Sequence, residues 1–167
     1  MRCLAAIAVV LVSSPALADV TSDVTVAPVG AVFKAFAAEY ERAVDTHVSV
    51  FVEAAVLAGL ELPDRMDETY TGAGLRLGAR WFPFQPALRG AFAGLELHGT
   101  LGSISTDDTG RAIGVAPMVG YTFVVRDRLD LSLGIGVELN ASNLENDHAA
   151  LAFVIQPLPR ASIGVAF

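Results

Sequence analysis

The feature that most narrows what this chain can become is an alternation of period two. Leu129, Leu131, Leu133, Ile135, Val137 and Leu139 are separated, one by one, by Asp130, Ser132, Gly134, Gly136, Glu138 and Asn140. Successive side chains of a β-strand point to opposite faces, so this segment has one apolar face and one polar or small face. The pattern recurs. Ala73, Leu75, Leu77, Ala79 and Trp81 alternate with Gly74, Arg76, Gly78, Arg80 and Phe82, while Ala91, Ala93, Leu95, Leu97 and Leu101 alternate with Gly90, Phe92, Gly94, Glu96, His98 and Thr100. Val48 to Val56 and Ile113 to Phe123 read the same way. None of these segments has the period of a helix.

Composition sharpens the point. The chain is 53% hydrophobic and only 17% charged, with a mean hydropathy of +0.53 and Lys34 as its sole lysine. Yet beyond residue 18 it contains no run of the roughly 18 or more apolar residues that a spanning helix requires. A chain this apolar must display its hydrophobicity in the shorter period.

The first residues, MRCLAAIAVVLVSSPALA, combine a positive Arg2, an apolar run from Cys3 to Val12 and a small-residue site at Ala16-Leu17-Ala18. These are the three parts of a secretory signal peptide, which predicts residues 1–18 as a leader and 19–167 as one exported domain. An amino-terminal membrane anchor is the alternative, but the apolar run is short for one. Cys3 is the only cysteine and lies in the leader, so the exported chain has neither disulfides nor thiolate chemistry. Loss of Arg2 takes the net charge from −7 to −8. That acidity excludes a nucleic-acid partner, whose phosphates need a basic face.

Connections between the runs predict the architecture. Short ones fall near Asp45-Thr46, at Phe84–Leu88 and at Arg126-Asp127-Arg128; longer polar ones run from Glu61 to Thr69, Ser103 to Gly110 and Ala141 to His148. Alternating short and long connections are the rhythm of an up-and-down transmembrane barrel. With the long loops outside, both chain ends lie on the other side and the strand count is even. Dividing Val24 to Val44 near Val29-Gly30 gives a short first strand through about Pro28 and a second from about Val32. The reading is all-β: an eight-stranded antiparallel up-and-down transmembrane β-barrel. A seven-run reading with one long bent strand stays open. In hydrocarbon only a closed barrel leaves no unpaired strand edge, each unsatisfied backbone group costing several kcal/mol.

Any function inside the barrel has to use the residues that face inward. These include Glu39, Glu41, Glu53, Arg76, Arg80, Glu96, His98, Glu138 and Arg160. If the turn is centred near Gln85-Pro86, Arg76 lies opposite Glu96. Charges held away from water must be paired, and eight strands enclose a space just wide enough for side chains to fill. The expectation is a salt-bridged lumen, with inward glycines such as Gly74, Gly78, Gly94, Gly134, Gly136 and Gly164 making room for long Arg and Glu chains. A pore for small polar solutes is the alternative.

Enzyme chemistry is weakly supported. His47 falls in a turn, His148 in a polar loop, and His98 on the lumen face, where Glu96 and Thr100 flank it as the one constellation with catalytic residue types. No ligand spacing suggests a metal, and Asn143 to His148, though acidic, lacks the spacing of an EF-hand loop. No enzyme activity and no cofactor are expected.

The alternation, the leader and the terminal SIGVAF, Ser162 to Phe167, resemble bacterial outer-membrane β-barrels of the OmpA, OmpX and OmpW kind. More narrowly, AAEYERAV (37–44), GAGLRLGARWFP (72–83) and LRGAFAGLELHG (88–99) look like a family of outer-membrane barrels of unknown function. That resemblance implies the outer membrane of a Gram-negative bacterium, contact with outer-membrane lipid, and a monomer. It also implies recognition by the barrel-assembly machinery through the last strand, where Ala161, Ile163, Val165 and Phe167 hold the alternate positions of the assembly signal; Val165 stands where a Tyr is common. The functional expectation is a structural or surface-interaction barrel acting through its long loops. Alternatives are a small channel or a transporter of small apolar molecules by lateral diffusion. A soluble lipid-binding barrel would need the opposite polarity.

Overall fold

In the computed structural model, which describes residues 20–28, 35–62, 65–104, 109–144 and 152–167, the alternating segments are strands. They are β1 (Ser22–Val26), β2 (Ala35–Asp45), β3 (Val48–Leu62), β4 (Arg65–Trp81), β5 (Gly90–Ile104), β6 (Thr109–Val125), β7 (Leu129–Leu144) and β8 (Ala152–Ala166). Each pairs antiparallel with its neighbours in sequence, and β1 pairs with β8, so the sheet closes into an eight-stranded barrel. β1 is a separate strand with partners on both sides, which removes the seven-run alternative. The expected turn at Val29-Gly30 lies outside the described residues.

Closure is completed by the chain ends. Ser22 N–H donates to the Phe167 carbonyl at 2.9 Å and Phe167 N–H to the Ser22 carbonyl at 2.8 Å. Gly164 faces β1 at the same seam, where an added Cβ would come within 2.5 Å of Thr25 Cα and closer still to the Val24 carbonyl. Only glycine allows β1 and β8 to approach this closely.

The short connections share one end of the barrel, the turn end. Arg126 and Asp127 both have positive φ, 54° and 56°, and Arg128 N–H donates to the Val125 carbonyl at 3.2 Å. Two successive left-handed residues define the tight turn whose twist matches a two-stranded ribbon. The β4–β5 connection departs from expectation. It runs from Phe82 to Arg89 and is a packed structure, not a tight turn: Phe82 and Leu88 are fully buried and Ala87 nearly so. Phe82 and Ala87 pack with Phe92 and Met118, and Leu88 packs with Val20 and Ala166. Aromatic and aliphatic residues that read as turn punctuation instead fold under the barrel and seal it.

That longer turn also corrects the register. Arg76 lies opposite His98, and Glu96 opposite Gly78. At the other end, the open end, strands run further than expected: Glu61 pairs with Thr69, Ser103 with Thr109 and Ala141 with Phe153. Strand pairing therefore extends into all three segments read as long loops. His148 lies outside the described residues.

Candidate functional site

The wall has opposite chemistry on its two faces. Outward, 29 large hydrophobic side chains are exposed among the described residues, with Ile113 at 69%, Leu101 at 68% and Leu97 at 61%. Inward, Glu96 is at 0%, Glu41 at 2% and Arg80 at 2%. The strand period alone produces this inversion, because each backbone step carries the next side chain through the sheet.

The nine inward residues named from the sequence come together in the lumen as one network. Arg80 donates through Nη2 to Glu39 Oε1 at 2.9 Å and through Nη1 to Glu41, which also accepts from Ser49 Oγ. Arg160 bonds Glu39 and Glu53, the latter at 2.8 Å, and reaches Glu96 at 3.2 Å. Arg76 Nη1 donates to the other oxygen of Glu96 at 2.5 Å, and its Nε lies 3.4 Å from Glu53. Thus Arg76 meets Glu96 diagonally although the two are not register partners. The chain continues to Glu138, 3.8 Å from Arg76 Nη2 and 2.8 Å from His98 Nε2. Glu39, Glu53 and Glu96 each bridge two guanidiniums, so the network crosses the lumen continuously. Such pairing is what permits buried charge at all, since each unpaired ion costs several kcal/mol.

Residues not singled out in sequence complete the filling. Phe51 and Phe92 place their rings 4.5 and 5.1 Å from the Arg80 guanidinium carbon, and Phe51 is 5.3 Å from that of Arg160. The inward glycines serve these rings more than the charged chains. A Cβ on Gly78 would meet the Phe51 ring at 2.5 Å, and one on Gly120 would meet the Phe92 ring at 2.5 Å. Gly94 and Gly136 lie beside Met118. The signal was present, because Phe51, Phe92 and Met118 share the parity of the charged residues. Their apolar chemistry hid it.

His98 turns toward β7. Its Nε2 contacts Glu138 and Asn140, the latter at 2.5 Å across Gly114, while Glu96 is taken by the arginines. Thr100 packs its methyl toward Gly74. His98 is thus engaged with β7 and Glu96 with the arginines. Among the described residues no three or more His, Cys, Asp or Glu side chains are grouped to hold a metal ion.

At the terminal strand, Ile163, Val165 and Phe167 lie on the outer face at about 40% exposure and Ala161 is partly exposed. Trp81, Tyr121, Phe123 and Phe84 join Phe167 around the turn end of the outer wall, and the Tyr121 and Phe123 rings lie 4.4 Å apart. Fold and site together define a closed, eight-stranded antiparallel barrel with an apolar exterior and an ion-paired interior. Neither a protein-family model, a curated protein nor a solved structure matches the chain.

Proposed function

We propose that this protein is an integral outer-membrane barrel whose filled lumen serves stability, and whose open-end hairpins meet partners outside the cell. The observation that carries this reading is the inverted polarity of the wall. Burying one large apolar side chain is worth about 1.5–3 kcal/mol, so an outer face of this kind left in water forgoes tens of kcal/mol. A domain's whole net stability is about 5–15 kcal/mol. Lipid removes the conflict, and a closed barrel leaves no backbone group unpaired within it. The aromatic side chains around the turn end are of the type that sits at a membrane–water interface. A leader at residues 1–18, a monomeric state and recognition of the last strand by the assembly machinery belong to the same proposal.

The test begins with cell fractionation and gel migration. The protein should sediment with outer membranes, and the unboiled form in detergent should migrate differently from the boiled one. Recovery in the soluble periplasmic fraction with identical migration would overturn the reading. Planar bilayers containing the protein should show no discrete channel events, because the ionic network spans the lumen; regular conductance steps would favour the channel alternative. Deleting Phe167 should lower the membrane level in cells more than it impairs refolding in detergent, and unchanged membrane levels would remove the assembly role.

A further inference from the structure

The arginine network leaves two lumen carboxylates out. Among the described residues Asp23, Glu39, Glu41, Glu53, Glu96, Asp130 and Glu138 face inward against three inward guanidiniums, those of Arg76, Arg80 and Arg160, and every ion pair these three make goes to a glutamate. Asp23 and Asp130 are each 1% exposed, and Asp23 Oδ1 and Asp130 Oδ2 have no hydrogen-bond partner among the described residues. The charges that bear on Asp23 are Glu41, Asp130 and Glu39, all negative, and more weakly Arg80; those on Asp130 are Glu41, Arg80 and Glu39.

Two hydroxyls close by are also unsatisfied. Thr25 Oγ1 and Ser162 Oγ lack partners among the described residues, and the two residues are 2% and 7% exposed. Register places Asp23, Thr25 and Asp130 on one inner patch across the closing seam, with Ser162 at its edge, four residues along β8 from the level of Asp23. Thr25 lies opposite Gly164 on β8, Gly164 lies opposite Asp130 on β7, Ser162 lies one inward position from Gly164, and Asp23 lies opposite Ala166. Between Thr25 and Asp130 the intervening residue is thus a glycine, with no side chain to separate them. Beneath the patch, Val20, Leu88 and Ala166 pack against one another and close the turn end.

We propose that this patch binds one hard divalent cation of calcium's size, held across the β7–β8–β1 seam by Asp23 and Asp130 with the hydroxyl of Thr25. Unpaired buried carboxylates must be neutralised by a counter-ion or by a proton. A shared proton would serve the two aspartates and leave the Thr25 hydroxyl unmet, whereas a cation takes that oxygen together with both carboxylates. Two negative charges match a divalent ion. An all-oxygen set fixed by strand register suits calcium, which accepts irregular coordination, better than magnesium, which demands a near-octahedral shell. With two carboxylates the expected affinity is that of weak extracellular sites, about 10⁻⁴–10⁻³ M. The cation would tie the first strand to the last, the pairing on which closure depends.

The full exported chain, refolded in a zwitterionic detergent without lipopolysaccharide, provides the test. Thermal unfolding followed by circular dichroism should shift upward by several degrees in about 10 mM calcium chloride relative to EDTA, and the shift should vanish in Asp23→Asn and Asp130→Asn. Thr25→Val keeps both charges; it should fold and need several-fold more calcium for the same shift, which decides the matter even if the Asn variants do not refold. Equal midpoints in calcium and EDTA, an equal response to magnesium, or a calcium shift that survives in Asp130→Asn would overturn the proposal. So would a midpoint that rises on acidification and ignores calcium, the behaviour of a shared proton.

Discussion

Gly78 and Gly74 sit on the same strand and the same inward face, four residues apart, yet their surroundings differ. Gly78 lies under the Phe51 ring and against the Leu95 carbonyl, whereas Gly74 has the Thr100 methyl at 3.1 Å from an added Cβ and little else. The contrast runs around the barrel. Toward the turn end the lumen is filled by Arg80, Phe51, Phe92, Met118 and Glu96, all buried. Toward the open end the inward positions include Ala37, Leu57, Gly72, Thr100, Gly102 and Ala112, all partly exposed. Small inward residues are common to both halves. What separates them is whether a neighbouring strand sends a long side chain across, so a glycine becomes a packing surface in one half and part of an open cup in the other.

The largest effect expected from breaking this difference is at Arg80. Arg80→Ala leaves Glu39 with Arg160 alone and Glu41 with no guanidinium, and removes the cation between two aromatic rings. Removing one partner of a buried ion pair costs about 3–5 kcal/mol, so guanidinium-induced unfolding in detergent should shift to a markedly lower midpoint. Arg76→Ala should cost less, because Arg76 is partly exposed and Arg160 still holds Glu53 and Glu96. Equal losses would mean that the two halves are equally packed.

A finer test uses the glycine pair itself. Gly78→Ala drives a methyl into Phe51 and the β5 backbone, an overpacking of the kind that costs about 1–3 kcal/mol. Gly74→Ala requires the Thr100 methyl to give by a few tenths of an ångström, and a change of under about 0.5 kcal/mol is expected, typical of an unconstrained site. Parallel unfolding curves of the two variants check this; coincident midpoints would erase the distinction between filled and open halves.

The faces of the strands were legible because period two is a local property: the nine charged or histidine residues read as inward point into the lumen, whereas the count of eight rested on dividing Val24–Val44 and was settled against seven only by the pairing of β1 with both β2 and β8. The rest depends on distances no local pattern encodes. The Phe82–Leu88 segment carries two prolines and reads as a turn, but its aromatic and aliphatic side chains find burial only under a closed barrel. That packing lengthens the turn and moves the register, so Arg76 faces His98 and not Glu96. Arginine then reaches Glu96 on the diagonal, since a long flexible side chain tolerates a register error that a short one would not. For the same reason His98, a short side chain, took partners the sequence did not suggest: Glu138 and Asn140 lie on β7, two strands away across Gly114.

A smaller effect than those of Arg80→Ala and Gly78→Ala is expected where the two halves meet on β6 and β7. Their ladder is regular from Gly110–Leu144 to Val115–Leu139 and again from Met118–Gly136 onward, with the two positions between unpaired. Pro117 accounts for this break, since it has no N–H to give to Val137. The β5–β6 ladder passes Pro117 without interruption, which places the missing donor on the β7 side. Pro157 and Pro159 behave differently. Phe167 N–H points to β1, so by alternation the odd-numbered positions of β8 turn their nitrogens that way, and the β7–β8 ladder runs intact through both prolines. Pro117→Ala should therefore restore one ladder bond and stabilise the barrel by about 0.5–1.5 kcal/mol, the net worth of a hydrogen bond. Pro157→Ala adds an N–H on the side where described β1 pairing ends at Val26–Ile163, and no gain is expected. Denaturant midpoints of the two variants separate these outcomes, and slower amide exchange at residue 117 than at residue 157 would locate the restored bond at the boundary between the filled and open halves.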